Sequence, residues 1–249
     1  QADDARRNLI EKIADIDDEI ADLYLEEAEI KQDVLMAAIR RATIKLLVTP
    51  VLCGAAYKNK GIQLLLDAVV DYLPSPMDLG AVIAQDPDDE ERTIQRNPSS
   101  NEPFAALAFK LINDPYVGQQ TFIRIFSGKL TSGMSFYNTN KMKYERAGRI
   151  FRIKAKEREE ISEAGAGEIV ALVGMKYTKT GDTLCDENQP VLLESIQIPP
   201  AVIEMKVNIE DKKNRNKLGE VLAKLCNEDP SFQSHYDEET EETIIAGMG

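Results

Sequence analysis

The sequence predicts a multi-domain chain that passes from α/β through all-β to α+β structure. Three observations predict this order. Helical periodicity up to about residue 41 is followed by an apolar β run, a turn and a helix at residues 46–76. Short alternating segments separated by turn residues fill residues 103–198, and a strand–helix–strand–strand pattern follows Pro199 and Pro200. With 249 residues, the chain is long enough for two or three modest domains that each bury a core.

The composition is that of an ordinary globular protein, with 43% hydrophobic and 29% charged residues. No apolar run approaches the roughly 18 residues of a membrane span, so no membrane contact is expected. Cys53, Cys185 and Cys226 lie far apart and His235 is the one histidine. This excludes a metal-ligand cluster, a disulfide framework and most histidine-based catalysis, and it predicts a cytoplasmic protein.

The first segment, from Ala5 to about Arg41, has the periodicity of two amphipathic helices. Their expected apolar faces are Leu9, Ile13, Ile16, Ile20 and Leu23, and then Ile30, Val34, Leu35, Ala38 and Ile39. We expect both helices to pack on a sheet with their acidic faces in solvent. The alternative is that the acidic face binds a partner.

The next stretch, residues 46–76, predicts a buried strand, a loop and a helix. Apolar residues 46–52 lead into a small-residue turn at 53–56 and a polar loop at 58–61. A helix follows and ends before Pro74, with apolar residues at helical spacing: Leu65, Leu66, Val69, Val70 and Leu73. This is the pattern of the last βα unit of an open α/β sheet, beside its ligand crevice.

Residues 77–102 are rich in Asp, Pro, Ser and Asn and lack periodicity, which predicts an extended connector between domains. After it, residues 103–198 predict a small closed β-barrel. The expected strands are Phe104–Lys110, Thr121–Phe126, Arg149–Lys154 and Glu168–Val173.

The barrel contains a basic stretch, Lys141–Arg158, with eight basic residues and two acidic ones, although the whole chain has a net charge of −13. Alternation predicts that Phe151, Ile153 and Ala155 face one way and that Arg152, Lys154 and Lys156 face the other. Two interpretations remain open: a solvated outer face, or a contact with the RNA backbone. The candidate contact residues are Lys141, Lys143, Arg149, Arg152, Lys154 and Lys156.

The last segment predicts a βαββ unit, which opens a ferredoxin-like split βαβ domain. Ile203, Met205, Val207 and Ile209 alternate with polar residues in the strand. The helix would bury Leu218, Val221, Leu222, Leu225 and Cys226, and a hairpin would pair 231–236 with 243–246.

Several motifs in register resemble the elongation factor G family of translational GTPases. In the first part they are Ala55-Ala56-Tyr57, Lys58-Asn59-Lys60-Gly61 and Asp71–Pro76; in the barrel, Asp114–Gly118, Ser127–Leu130, Ala164–Ala171 and Thr180–Leu184; in the last part, Glu228–Phe232 and Thr243–Gly249. The resemblance implies four segments: the C-terminal part of a P-loop GTPase α/β domain (1–80), a linker (81–102), β-barrel domain II (103–198) and a truncated ferredoxin-like domain III (199–249).

The resemblance also implies the activity of the intact protein, a GTPase that drives tRNA–mRNA translocation on the ribosome. Its cofactors would be GTP or GDP and Mg²⁺, and its partners ribosomal RNA, ribosomal proteins and, indirectly, the tRNA–mRNA complex. A monomer is expected. The nucleotide-binding residues carried over are Ala55, Ala56 and Tyr57, with the Ala56 N–H donating to the guanine carbonyl. Ala55 replaces the serine of many family members, which removes a hydroxyl that would brace the turn.

Two nucleotide motifs have no match in these 249 residues: the phosphate-binding GxxxxGK[ST] and the guanine-binding Asn-Lys-x-Asp. We therefore expect an internal piece of a longer protein, with no catalytic or metal-binding residues, no bound cofactor and no GTP hydrolysis of its own. The alternatives are a paralogous translational GTPase that protects or recycles ribosomes, and a non-catalytic module that binds RNA or the ribosome.

Overall fold

The computed structural model describes residues 1–114, 118–155, 157–194, 196, 198–208 and 215–248. The chain divides into two compact units, Gln1–Leu79 and Gly80–Gly249. The four-segment division expected from the sequence stays a prediction as a domain assignment. In the described residues, no helix is both long enough and apolar enough to cross a membrane.

The first unit is helical. Its helices are α1 (Ala2–Ala14), α2 (Asp18–Leu25), α3 (Gln32–Ile44), α4 (Ile62–Tyr72) and α5 (Pro76–Leu79), with a 3-10 helix at Ala56–Lys58. The first expected helix is divided in two because the Asp17 carboxylate caps α2, accepting the Ile20 N–H at 3.3 Å. The same carboxylate accepts two hydrogen bonds from Arg41 of α3, and that guanidinium lowers the pKa of Asp17.

The strand expected at residues 46–52 is not formed, and this prediction is wrong. In residues 1–79, all of which are described, the β pairing is one isolated bridge between Ala55 and Lys60. Leu46 is 91% exposed and Val51 86%. A strand needs neighbours to satisfy its backbone and cover its side chains, and this unit supplies none. The helices therefore do not pack on a sheet, and α4 exposes Leu65, Leu66, Val69 and Val70.

The expected connector contains a β-hairpin, so the prediction of an aperiodic segment is wrong for residues 82–96. Strand β1 (Val82–Asp86) pairs with β2 (Asp89–Arg96). Gln85 and Leu192 exchange N–H···O bonds of 2.8 and 2.9 Å. Beneath them lies a second core that joins the hairpin to the barrel: Ala84, Ala105, Cys185, Val191 and Leu193.

The barrel strands expected from the sequence are confirmed. The strands are β3 (Ala105–Asp114), β4 (Gly118–Ser127), β5 (Lys129–Thr131), β6 (Ser135–Asn138), β7 (Lys143–Arg146), β8 (Arg149–Lys154), β9 (Glu157–Ile161), β10 (Glu163–Gly165), β11 (Ile169–Val173) and β12 (Thr183–Cys185). Eight form one sheet in the order β7-β6-β12-β3-β4-β11-β8-β9, and β5 pairs with β10.

One apolar core holds these strands together, with fully buried side chains from both sheets, including Ile123, Leu130, Phe136, Ile150 and Leu184. The edge strands β7 and β9 are not paired with each other in the described residues. The ends of these strands are instead connected through the segment after β5: the Ser132 N–H donates to the Ser162 carbonyl at 2.9 Å, and the Gly133 N–H donates to the Ala147 carbonyl at 2.7 Å. The small β5–β10 pair lies beside this connection.

The last segment has the expected element order: β13 (Ile203–Val207), α6 (Arg215–Glu228), β14 (Gln233–Asp237) and β15 (Glu242–Gly247). The antiparallel sheet has the order β13-β15-β14. The expected helix face is only partly covered, since Leu222 is buried while Val221 and Leu225 are exposed. Ile209 lies outside the described residues.

Candidate functional sites

The turn that carries Ala55, Ala56 and Tyr57 is closed by its own backbone. The Ala55 N–H donates to the Lys60 carbonyl at 3.0 Å, and the Lys58 and Lys60 N–H groups donate to the Ala55 carbonyl at 2.9 and 3.2 Å. Asn59 has a left-handed backbone, with φ +52°. These backbone hydrogen bonds close the turn even though Ala55 lacks the serine hydroxyl of many family members.

Two glycines set the width of this turn. A Cβ on Gly54 would lie 3.0 Å from the Lys60 carbonyl oxygen. A Cβ on Gly61, whose φ is +77°, would lie 3.2 Å from the Cys53 carbonyl oxygen. Both of these neighbours are backbone atoms, which cannot move aside as a side chain can. The two ends of the turn, residues 53–54 and 60–61, can therefore lie this close only with glycine at positions 54 and 61.

The Ala56 N–H stands at the start of the 3-10 helix, where an amide has no partner within the helix. No hydrogen bond among residues 1–79 uses it. This fits a donor to a carbonyl oxygen of a bound base. The Tyr57 side chain is fully exposed. In the described part of the chain, no three His, Cys, Asp or Glu side chains lie close enough to hold a metal ion. The nucleotide role of the three residues stays a prediction.

The basic residues of β8 lie beside acidic residues of the neighbouring strand β9. Strand β9 places Glu159 opposite Arg152 and Glu157 opposite Lys154. The Arg152 guanidinium pairs with Glu168 and, at 3.8 Å, with Glu159, which also lies 3.6 Å from the Lys154 ammonium.

The ion pair between Arg152 and Glu168 is reflected in both pKa values. Burial alone would raise the pKa of Glu168, but hydrogen bonds from the Gly165 N–H and the Arg152 guanidinium outweigh it and lower that pKa. The Glu168 carboxylate in turn raises the pKa of Arg152. The positive charges of Arg152 and Lys154 on β8 are therefore paired with nearby carboxylates.

Strand β8 keeps the expected alternation, with Phe151 and Ile153 on one side and Arg152 and Lys154 on the other. The residue that enters the core is Ile150, on the same side as Arg152 and Lys154, while Phe151 and Ile153 are half-buried on the other side. Ala155 lies beyond the strand with φ +53°, so it does not continue either face. Lys156 is outside the described residues.

The remaining candidates also have partners. Lys141 lies 3.5 Å from the Asp182 carboxylate, the Lys143 ammonium lies 4.1 Å from the centre of the Tyr177 ring, and Arg149 lies over Phe151. Two contacts of this group are with aromatic rings, a feature that the count of basic residues missed. The sequence does contain a pattern that indicates such contacts: Tyr144 lies between Lys143 and Arg146, and aromatic residues between cations are typical of nucleic-acid-binding surfaces. Their role in RNA contact stays a prediction.

Comparison with known proteins extends the sequence resemblance. Residues 103–187 match the family model described as Elongation factor G domain 2, and residues 198–249 match the one described as Elongation Factor G, domain III. The chain is of the elongation factor G type. A crystal structure of a protein from Thermus thermophilus matches 98% of this chain with a TM-score of 0.76 and 25% identity. This elongation factor G chain spans 34% of the length of that protein.

Proposed function

We propose that the chain is part of a ribosomal GTPase that drives movement of the tRNA–mRNA complex during protein synthesis. The observation that carries this proposal is the tandem match to domain 2 and domain III of elongation factor G. The order β13-β15-β14 with one helix supports a ferredoxin-like topology for the second of these domains.

In this proposal GTP or GDP and Mg²⁺ are cofactors of the intact protein, and bound nucleotide supplies the energy of the conformational switch. The Ala56 N–H donates to the guanine carbonyl, while Gly54 and Gly61 keep the turn narrow. The barrel and βαββ segment transmit the switch by changing their contacts with the nucleotide-binding part and the ribosome.

The proposal assigns no GTP hydrolysis to these 249 residues, because they contain no match to the phosphate-binding motif. The test is GTP turnover by the intact gene product, with and without ribosomes. Ribosome-stimulated turnover supports a translational GTPase. Turnover by the 249-residue chain alone would contradict the assignment of catalysis to other segments, and no turnover by the intact protein would favour an RNA-binding module.

The basic stretch yields a prediction on ribosome binding. Replacing Lys154 and Lys156 together with Glu is expected to weaken binding of the chain to ribosomes, with a lower salt dependence, because fewer counterions are released. The barrel should stay folded, since Lys154 is exposed and its pair with Glu159 is a surface ion pair of small energy. Co-sedimentation over a salt series measures the change.

The matched control replaces Lys12 and Lys31 with Glu, which makes the same change of charge on exposed positions of the helical unit. Equal loss of affinity in both variants would show that only net charge matters. Unchanged affinity of the Lys154 and Lys156 variant at every salt concentration would contradict the contact.

A further inference from the structure

Edge strand β7 presents an exposed aromatic ring beside positive charge. Tyr144 lies opposite Tyr137 of β6, and their ring centroids are 5.2 Å apart at an interplanar angle of 54°. Tyr144 is nevertheless 63% exposed. One side of its ring is therefore supported by protein while the rest of the side chain is open to solvent.

The pairing register places the Tyr144 ring on the face of the sheet opposite the barrel core. Phe136 and Glu145 lie opposite each other and are buried. Since side chains alternate along a strand, Tyr144 points to the other face, as does Arg146. Two residues along a strand span about 7 Å, so the exposed ring and the exposed guanidinium are neighbours.

The acidic groups near this edge are already occupied. The Glu145 carboxylate accepts hydrogen bonds from the Lys176 N–H at 2.7 Å and the Thr178 hydroxyl at 2.6 Å. The Asp182 carboxylate accepts from Asn138 and pairs with Lys141. Lys143, Arg146 and Lys176 are exposed at this edge and, among the described residues, none of them forms an ion pair, in contrast to Arg152 and Lys154 of β8.

We propose that Tyr144 is a stacking platform for an unpaired RNA base, with the Arg146 guanidinium on an adjacent phosphate. The inference rests on the proposed function and deepens it by naming the form of RNA. A base inside a duplex has both faces covered by its neighbours, whereas a base in a loop or bulge can stack on an exposed tyrosine. Arg146 has its Nε hydrogen-bonded to the Gly133 carbonyl at 2.7 Å, which orients the guanidinium.

The experiment compares two fluorescein-labelled probes, a 12-nucleotide single-stranded RNA and a blunt duplex RNA, binding to the 249-residue chain. Tyr144→Ala is expected to weaken the single-stranded complex about tenfold and leave the duplex unchanged, because one stacked base is lost. Tyr144→Phe should retain the affinity. Tyr24→Ala, which removes a half-exposed tyrosine of the helical unit, is the matched control and should retain it too.

A second readout is intrinsic fluorescence, since the chain has eight tyrosines and no tryptophan. Single-stranded RNA should quench tyrosine emission in the wild type and less in Tyr144→Ala. If Tyr144→Ala changes neither probe while the wild type binds RNA in a salt-dependent way, the platform is wrong and the proposed RNA contact stands. If the wild type binds neither probe at low salt, both the platform and the RNA contact are wrong.

Discussion

Replacing Gly128 with Ala is expected to destabilise the barrel by about 3 kcal/mol. Gly128 has φ +73°, a conformation that costs L-residues roughly 1–2 kcal/mol. An added Cβ would also lie 2.5 Å from the Phe104 Cα and 2.8 Å from the Glu102 carbonyl oxygen. Both are backbone atoms of the segment that enters β3, so the clash cannot be relieved by a side-chain rotation.

Gly174→Ala is the matched control, because Gly174 has φ +93° but no atom within 4 Å of the added Cβ. Its cost should be limited to the backbone term, about 1–2 kcal/mol. Urea unfolding followed by circular dichroism measures both free energies. Equal destabilisation of the two variants would contradict the close approach of residues 102–104 to Gly128.

Replacing Ala84 with Glu is expected to cost at least about 3 kcal/mol, because it buries a carboxylate without a partner. Ala84 is 2% exposed and lies in the second core between the β1–β2 hairpin and the barrel. The same substitution in a flexible connector would be harmless. The variant therefore tests whether residues 82–96 are packed on the barrel.

The neighbouring substitution Ile83→Glu is the control for Ala84→Glu. Ile83 is 62% exposed on the opposite face of the same strand, so its replacement should change the unfolding free energy by no more than about 0.5 kcal/mol. Similar urea midpoints for the two variants would show that the hairpin does not contribute to the barrel's stability.

The barrel was predictable because its signals are local. Period-two alternation and turn residues gave β8 at Arg149–Lys154 with the observed ends, and β4 and β11 within three residues at each end. The hairpin was not predicted because residues 86–92, six charged residues and Pro87, conceal the alternation of the inward-facing Ala84 and Ile94. The strand expected at 46–52 failed for the opposite reason: its apolar residues favour a strand, but pairing depends on neighbours that residues 1–79 do not contain.

The candidate sites were predictable only to the level of the segment. The turn at Ala55 was placed correctly, yet its bracing by the Lys60 carbonyl is a backbone contact that side-chain motifs do not encode. The basic stretch was found by counting charges. The structure divides this stretch into strand β8, whose charges are paired, and edge strand β7, which carries an exposed tyrosine. This division could not be predicted, because only the folded sheet brings Glu168 beside Arg152 and Tyr137 beside Tyr144.

The most direct test of the proposed function is movement of tRNA and mRNA on ribosomes by the intact gene product. In a single preparation, GTP turnover and displacement of a fluorescent mRNA would be followed together after peptide-bond formation. We expect displacement to require the protein and to accelerate with GTP. Ribosome-stimulated turnover without any displacement would contradict the translocation role and assign the protein to another activity of the same family.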